Sequence, residues 1–176
     1  MIKKPFKIIL SCLAMLAANS YASNLYVPSL STAKGVVKEG TIFNTGNNSA
    51  ANPSPILIKV TDFSQLSDTF RSNIKSCLVS GSGWGNTASG RVEIRLNDIS
   101  CINEAGTPAT AQVVGYLADT DNMAGIKTEV ISKGNKSTMT ILPGRKVNVI
   151  FTRKFTLKTT DTPKFFISGQ KDEQNK

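Results

Sequence analysis

The sequence predicts an all-β fold, mainly an antiparallel β-barrel or sandwich, with one short helical segment. Three observations predict it. Apolar residues alternate with polar ones in many short runs, the period of strands that bury one face and wet the other. Clusters of Gly, Pro, Asn and Ser separate these runs as turns. Only one stretch, Asp62 to Lys75, departs from the alternation, and no helix is long enough for the crossovers of a parallel sheet.

The chain opens with Lys3, Lys4 and Lys7, then the apolar run Ile8 to Ala18, then Ser20-Tyr21-Ala22. This is the pattern of a cleavable export signal, residues 1–22, with cleavage after Ala22. The apolar run is too short to span a bilayer comfortably, so an uncleaved anchor is the weaker reading. Ile9-Leu10-Ser11-Cys12 loosely resembles a lipoprotein processing site, with Cys12 as the alternative point of lipidation. Removal of the signal leaves about 154 residues, the size of one domain with a single core. The expected location is the periplasm, with outer-membrane association only through partners.

Residues 23–35 read as an extended N-terminal segment. A β-barrel domain then covers residues 36–158, and residues 159–176 form a polar tail. Val36 to Thr45 predicts the first strand, and Asn44 to Pro55, rich in Asn, Ser, Gly and Pro, an exposed loop. Ile56, Ile58 and Val60 predict the second strand. Phe63, Leu66, Phe70 and Ile74 then recur at three and four, which predicts one or two helical turns capped by Asp62 or Ser64. From Ser76 to Asn103 two strand-like runs flank Gly81-Ser82-Gly83-Trp84-Gly85, read as a turn or bulge. Val92, Ile94 and Leu96 alternate there with Arg91, Glu93, Arg95 and Asn97. Gln112 to Ala118, Lys127 to Ser132 and Lys146 to Lys158 predict the remaining strands, with Pro143-Gly144 as the turn before the last.

With Cys12 removed, Cys77 and Cys101 are the only thiols, one on each arm of that hairpin. An oxidising compartment favours their pairing, and two separately buried thiols are the alternative. A bond closing a loop of roughly 25 residues contributes on the order of 3 kcal/mol.

Composition excludes much chemistry. The chain has no histidine, which removes histidine-dependent triads, histidine acid–base catalysis and histidine-containing zinc sites. Ser31-Thr32-Ala33-Lys34 and Ser72-Asn73-Ile74-Lys75 match Ser-x-x-Lys, but the companion motifs of a serine–lysine enzyme are absent. Glu39, Glu93, Glu104 and Glu129 suggest no carboxylate pair. The glycine run leads into a strand where a phosphate-binding loop would open a helix. No catalytic residue, cofactor or metal is therefore assigned. The net charge of +9 gathers late, at Lys127, Lys133, Lys136, Arg145, Lys146, Arg153, Lys154, Lys158 and Lys164. Such a surface suits an acidic partner, lipid headgroups or nucleic acid, or is simply a solvated face. Aromatic residues are too sparse for a base-stacking platform, so no direct nucleic-acid binding is expected.

Pro55-Ile56-Leu57-Ile58-Lys59-Val60-Thr61-Asp62, then Ile74 to Gly81, the glycine run, Ser89 to Leu96 and Ile99-Ser100-Cys101 together resemble the C-terminal domain of the TraB family. These are scaffold proteins of F-type conjugative type IV secretion systems. Gly115-Tyr116, Asp119 to Gly125, Val130 to Gly134 and Pro143 to Thr152 extend the likeness. The resemblance implies a β-barrel that assembles side by side into a ring beneath the outer membrane, a homo-oligomer with TraV-like and TraK-like partners. It implies a structural role without catalysis or cofactor. Trp84, beside the glycines, is expected to pack against the barrel or against a neighbouring subunit, and Trp84, Arg91 and Arg95 are the candidate subunit or partner contacts. The family also carries an inner-membrane helix and a helical antenna. Here a signal stands in the first place, and the six residues from Asn135 to Thr140 stand in the second, too few to span ~30 Å of hydrocarbon. The expectation is a barrel without either membrane contact, peripheral to a membrane at most. A stand-alone periplasmic binding or chaperone module is the alternative.

Overall fold

A computed structural model describes residues 25–46 and 49–159; the signal reading, Cys12 and the tail beyond Thr159 lie outside the described residues. The elements are β1 (Leu25–Val27), β2 (Ser31–Val37), β3 (Thr41–Asn44), a 3-10 turn (Ser49–Ala51), β4 (Ser54–Asp62), α1 (Asp68–Asn73), β5 (Ile74–Asn86) and β6 (Arg91–Asn103). They continue with β7 (Pro108–Gln112), β8 (Gly115–Ala118), β9 (Ile126–Lys127), β10 (Val130–Lys133), β11 (Lys136–Ile141), β12 (Lys146–Phe151) and β13 (Phe155–Thr159).

Six strands close into an antiparallel barrel, running β6, β5, β4, β2, β12, β8 and back to β6. Alternation drives the closure. Ile56, Ile58 and Val60 of β4, Val79 of β5, Ile94 of β6, Leu117 of β8 and Val149 of β12 all point inward and are buried. The last gap is closed by the register pair Arg95↔Tyr116 between β6 and β8.

β6 is long enough to serve three partners along one edge. Arg91 and Val92 pair with β9, Arg95 with β8, and Asp98 to Ile102 with β7. The change of partner coincides with a bulge: Ser80 opposes Asp98 and Gly81 opposes Leu96, leaving Asn97 as the extra residue. A bulge bends its strand and increases twist locally. The buried phase on β6 slips there, from Leu96 to Ile99, with Asn97 and Asp98 both exposed between them. Beyond β7 the sheet extends through β13 to β1, so the first and last described strands lie side by side.

A second sheet, β10–β11–β3, lies over the hairpin end of β5. The glycines read as a turn are in fact part of strand β5, and the turn itself is Thr87 to Gly90. Gly81, Gly83 and Gly85 face inward, and Gly83 and Gly85 lie beneath the second sheet. A Cβ on Gly83 would sit 2.6 Å from the Glu93 carbonyl oxygen and 3.2 Å from the Phe43 ring, and one on Gly85 2.9 Å from the Met139 sulfur. The stripe is therefore a seat for Phe43 and Met139, both fully buried. Only the bulge reading survives, at Gly81.

Other differences share one physical cause, a change of partner within an unbroken apolar alternation. The first barrel strand starts at Ser31, and the run Val36 to Thr45 divides at Gly40, where the chain leaves the barrel for the second sheet. Gln112 to Ala118 divides at Val113-Val114 as the chain crosses from β6 to β12. Lys146 to Lys158 divides at Thr152 to Lys154, between barrel and extension. The region 127–132 is β9 and β10, and β10 turns through Gly134 into β11, a strand absent from the prediction. The helix is present at the expected one to two turns, Asp68–Asn73, but Ser67 caps it, accepting from the Phe70 N–H at 3.3 Å. Asp62 instead accepts from the Ser64 N–H at 2.7 Å, shaping the loop before it.

Candidate functional site

The β5–β6 hairpin carries Cys77, Trp84, Arg91, Arg95 and Cys101. At its open end Cys77 and Cys101 are direct register partners, with Cα atoms 4.0 Å apart and their sulfurs bonded. Both are buried, so this disulfide is an internal staple with no exposed thiol to react. At the far end Asn86 organises the turn. Its side-chain oxygen accepts from the N–H groups of Ala88 and Ser89, and its amide nitrogen donates to Glu93 at 2.7 Å.

Because the neighbouring glycines face inward, Trp84 faces outward. The guanidinium of Arg95 lies over its ring, 5.0 Å from the centroid. Tyr116, paired with Arg95 across the barrel seam, continues the same outer face and is 37% exposed. Trp, Tyr and Arg are the residues over-represented where protein surfaces make energetically decisive contacts. Arg91 does not join them. It is 8% exposed, donates to the Gly125 carbonyl at 3.0 Å, and is ion-paired with Asp121. The structure thus brings Trp84 and Arg95 together, adds Tyr116, and uses Arg91 to hold the 119–125 loop. Tyr116 was out of reach of sequence reasoning because its place follows from the register of two strands about 20 residues apart in the chain.

That loop is the most polar constellation among the described residues. Asp119, buried, accepts from both the Thr120 and Lys127 N–H groups, at 2.7 and 3.0 Å, and from Arg145. Burial alone would push its carboxyl pKa up, but these donors outweigh burial and hold it below the usual value. Asp121 is likewise held low, first by Arg91 and then by the Met123 N–H. Two carboxylates saturated by arginines and backbone amides are structural; neither has a free oxygen poised as a base. Among the described residues, no group of three or more His, Cys, Asp or Glu side chains could hold a metal ion.

The Ser-x-x-Lys matches do not form dyads. Ser31 faces inward and donates to the Pro28 carbonyl at 2.7 Å, whereas Lys34, an odd number of strand positions on, faces outward. Ser72 lies on α1 and its hydroxyl turns back to the Thr69 carbonyl.

No family model matches the chain. Among curated proteins it is similar to Protein TraB of Escherichia coli (strain K12), 29% identical over 114 residues. The similarity covers 63% of this chain and 23% of that protein, so the chain spans under a quarter of its relative's length. A continuous stretch of that extent in a chain of 176 residues must include the stapled hairpin at its middle.

Proposed function

We propose that this chain is a non-catalytic structural or accessory subunit of a conjugative transfer or type IV secretion assembly in the cell envelope. It joins copies of itself and TraV-like or TraK-like partners through the outer face of its barrel. The observation that carries the reading is the cysteine-stapled hairpin inside a closed barrel, in a chain distantly similar to TraB. A buried disulfide favours an oxidising compartment such as the periplasm. Trp84, Arg95 and Tyr116 supply an outward contact patch next to the barrel seam.

The test is affinity purification of the tagged chain from cells expressing a complete transfer apparatus, followed by sizing and identification of what accompanies it. Recovery in a large envelope complex, lost on Trp84→Ala with Arg95→Ala, is the expected result. A chain that stays monomeric and partnerless in those cells overturns the reading and favours a stand-alone periplasmic module.

A further inference from the structure

On the far side of β8 from the seam, β2 and β12 run side by side and present an outer face in fixed register, with Val36 opposite Lys146, Lys34 opposite Asn148, and Thr32 opposite Ile150. The 119–125 loop forms a wall along this face, because Asn148 donates to the Asp119 carbonyl at 3.1 Å and to the Asn122 side chain at 3.0 Å. The result is a groove. One part, about 560 Å³, reaches from Lys34 to Lys146 and Thr61, and the next, about 200 Å³, continues past Asn148 to Ile150 and Gln65. Lys34, Asn122 and Asn148 line both parts.

The lining is specific in three ways. Both strands are already paired on both edges, so no ligand can add as a further strand; side chains must hold it. Polar atoms stand ready to do so. The Asn122 amide nitrogen, the Asn148 carbonyl oxygen and the Gln65 amide nitrogen make no hydrogen bond among the described residues. Charge is one-sided. Lys34, Lys59 and Lys146 lie on this outer surface; Asp62 stands 3.4 Å from Lys34, and Asp121 of the loop wall is engaged by Arg91.

Alternate side chains on a strand repeat every ~6.8 Å, the spacing of same-face side chains in an extended peptide. Lys34, Val36 and Thr32, facing Asn148, Lys146 and Ile150, offer basic, apolar and amide positions at that repeat. We propose that this groove binds an extended acidic peptide segment of a partner protein, its carboxylates on Lys34 and Lys146 and an apolar side chain on Ile150. A flat lipid surface cannot reach past the loop wall. The proposal is read from this face alone and does not rest on the assembly reading.

The test uses the purified, oxidised protein and a short fluorescein-labelled peptide of alternating Glu and Val, with a Lys and Val peptide as control. Anisotropy is expected to report binding of the first peptide and not the second, weakening as salt rises. Lys34→Gln with Lys146→Gln should weaken it by about tenfold or more, and Lys75→Gln, on β5, should not. Amide shifts in the unmutated protein should centre on Lys34 to Val36, Asn122 and Asn148, which keeps the test valid if the variant misfolds. Equal binding of both peptides, equal weakening by Lys75→Gln, shifts centred elsewhere, or tighter competition by a mixed-sequence oligonucleotide at the same lysines overturns the proposal.

Discussion

Arg145 donates through one guanidinium nitrogen to both carboxylate oxygens of Asp119, at 2.9 and 2.7 Å, and Asp119 is 2% exposed. With the amides of Thr120 and Lys127 on the same carboxylate, this contact ties the end of β8, the end of β9 and the turn before β12 into one unit. Arg91 performs the parallel task from β6, reaching Asp121 and the Gly125 carbonyl. The loop that walls the groove is therefore anchored by two arginines from elements distant in sequence.

Acid should loosen this unit first. Because the folded-state pKa of Asp119 lies below its ordinary value of 3.8, the unfolded chain binds the proton more readily. The stabilisation is complete above that value and is lost as pH falls below it toward the folded-state pKa. Asp119→Asn is expected to cost about 2 to 3 kcal/mol at neutral pH, through lost charge-assisted bonds at a buried position. It should also flatten the decline in stability below pH 3.8. Urea melts across acidic pH measure both, and an unchanged pH slope in Asp119→Asn would contradict the assignment.

The Cys77–Cys101 staple should appear first in mass: the oxidised chain is lighter than the reduced one by about two protons, and neither Cys77 nor Cys101 reacts with alkylating reagents. Cys101→Ala is expected to lower stability by about 2 to 4 kcal/mol in non-reducing buffer. In reductant, the difference between it and the parent chain should largely disappear. A chain isolated from an oxidising compartment with two alkylatable cysteines would be incompatible with this structure.

Gly115 marks where β8 presses closest to β12. A Cβ there would run into the Ile150 carbonyl oxygen, a backbone atom that cannot swing aside. Gly115→Ala is therefore expected to destabilise the barrel by about 3 kcal/mol or to prevent its closure. Gly83→Ala should cost about 2 to 3 kcal/mol, because its Cβ would sit 2.6 Å from the Glu93 carbonyl oxygen, backbone of the paired strand β6 that a shift of the second sheet does not move. Ser82→Ala, on the outward face between these glycines, is the control and should stay within about 0.5 kcal/mol. Denaturant midpoints rank the three, and a mild Gly115→Ala would mean that β8 sits farther from β12 than described.

Those glycines show how much the sequence revealed. Period-two alternation made Ile58, Val79, Ile94 and Val149 legible as core, and with them the all-β class. Whether a strand keeps one partner was not legible, because both faces read the same on either side of Gly40, Val113-Val114 or Thr152. The phase slip from Leu96 to Ile99 was the one local sign of a bulge, and hence of the change of partner on β6. Gly83 and Gly85 read as part of a turn because the reason for them, Phe43 and Met139 packed on top, comes from remote parts of the chain. Lys136 to Ile141 escaped notice as β11 because its pattern KSTMTI is mostly polar and its apolar face is completed by β3 and β5. Of the candidate contact residues, chemistry alone grouped Trp84, Arg91 and Arg95; burial separated Arg91 from the other two.

The Trp84–Arg95 contact separates stability from recognition. Arg95 is exposed, so its attraction to the indole contributes only about 0.5 to 1 kcal/mol, and a double-mutant cycle on unfolding should return a coupling in that range. Trp84→Ala removes one half-buried outward ring and opens no cavity in the barrel, so the fold and the disulfide should both persist. If the pair serves contact with other subunits, Trp84→Ala should cost far more in association than in folding, about 2 kcal/mol or more, as central aromatic anchors do. Sedimentation or mass photometry of the parent and variant at matched concentration supplies the association value, and denaturant unfolding the other. Equal losses in the two measurements would make Trp84 a packing residue and move the search for the contact surface elsewhere on the barrel.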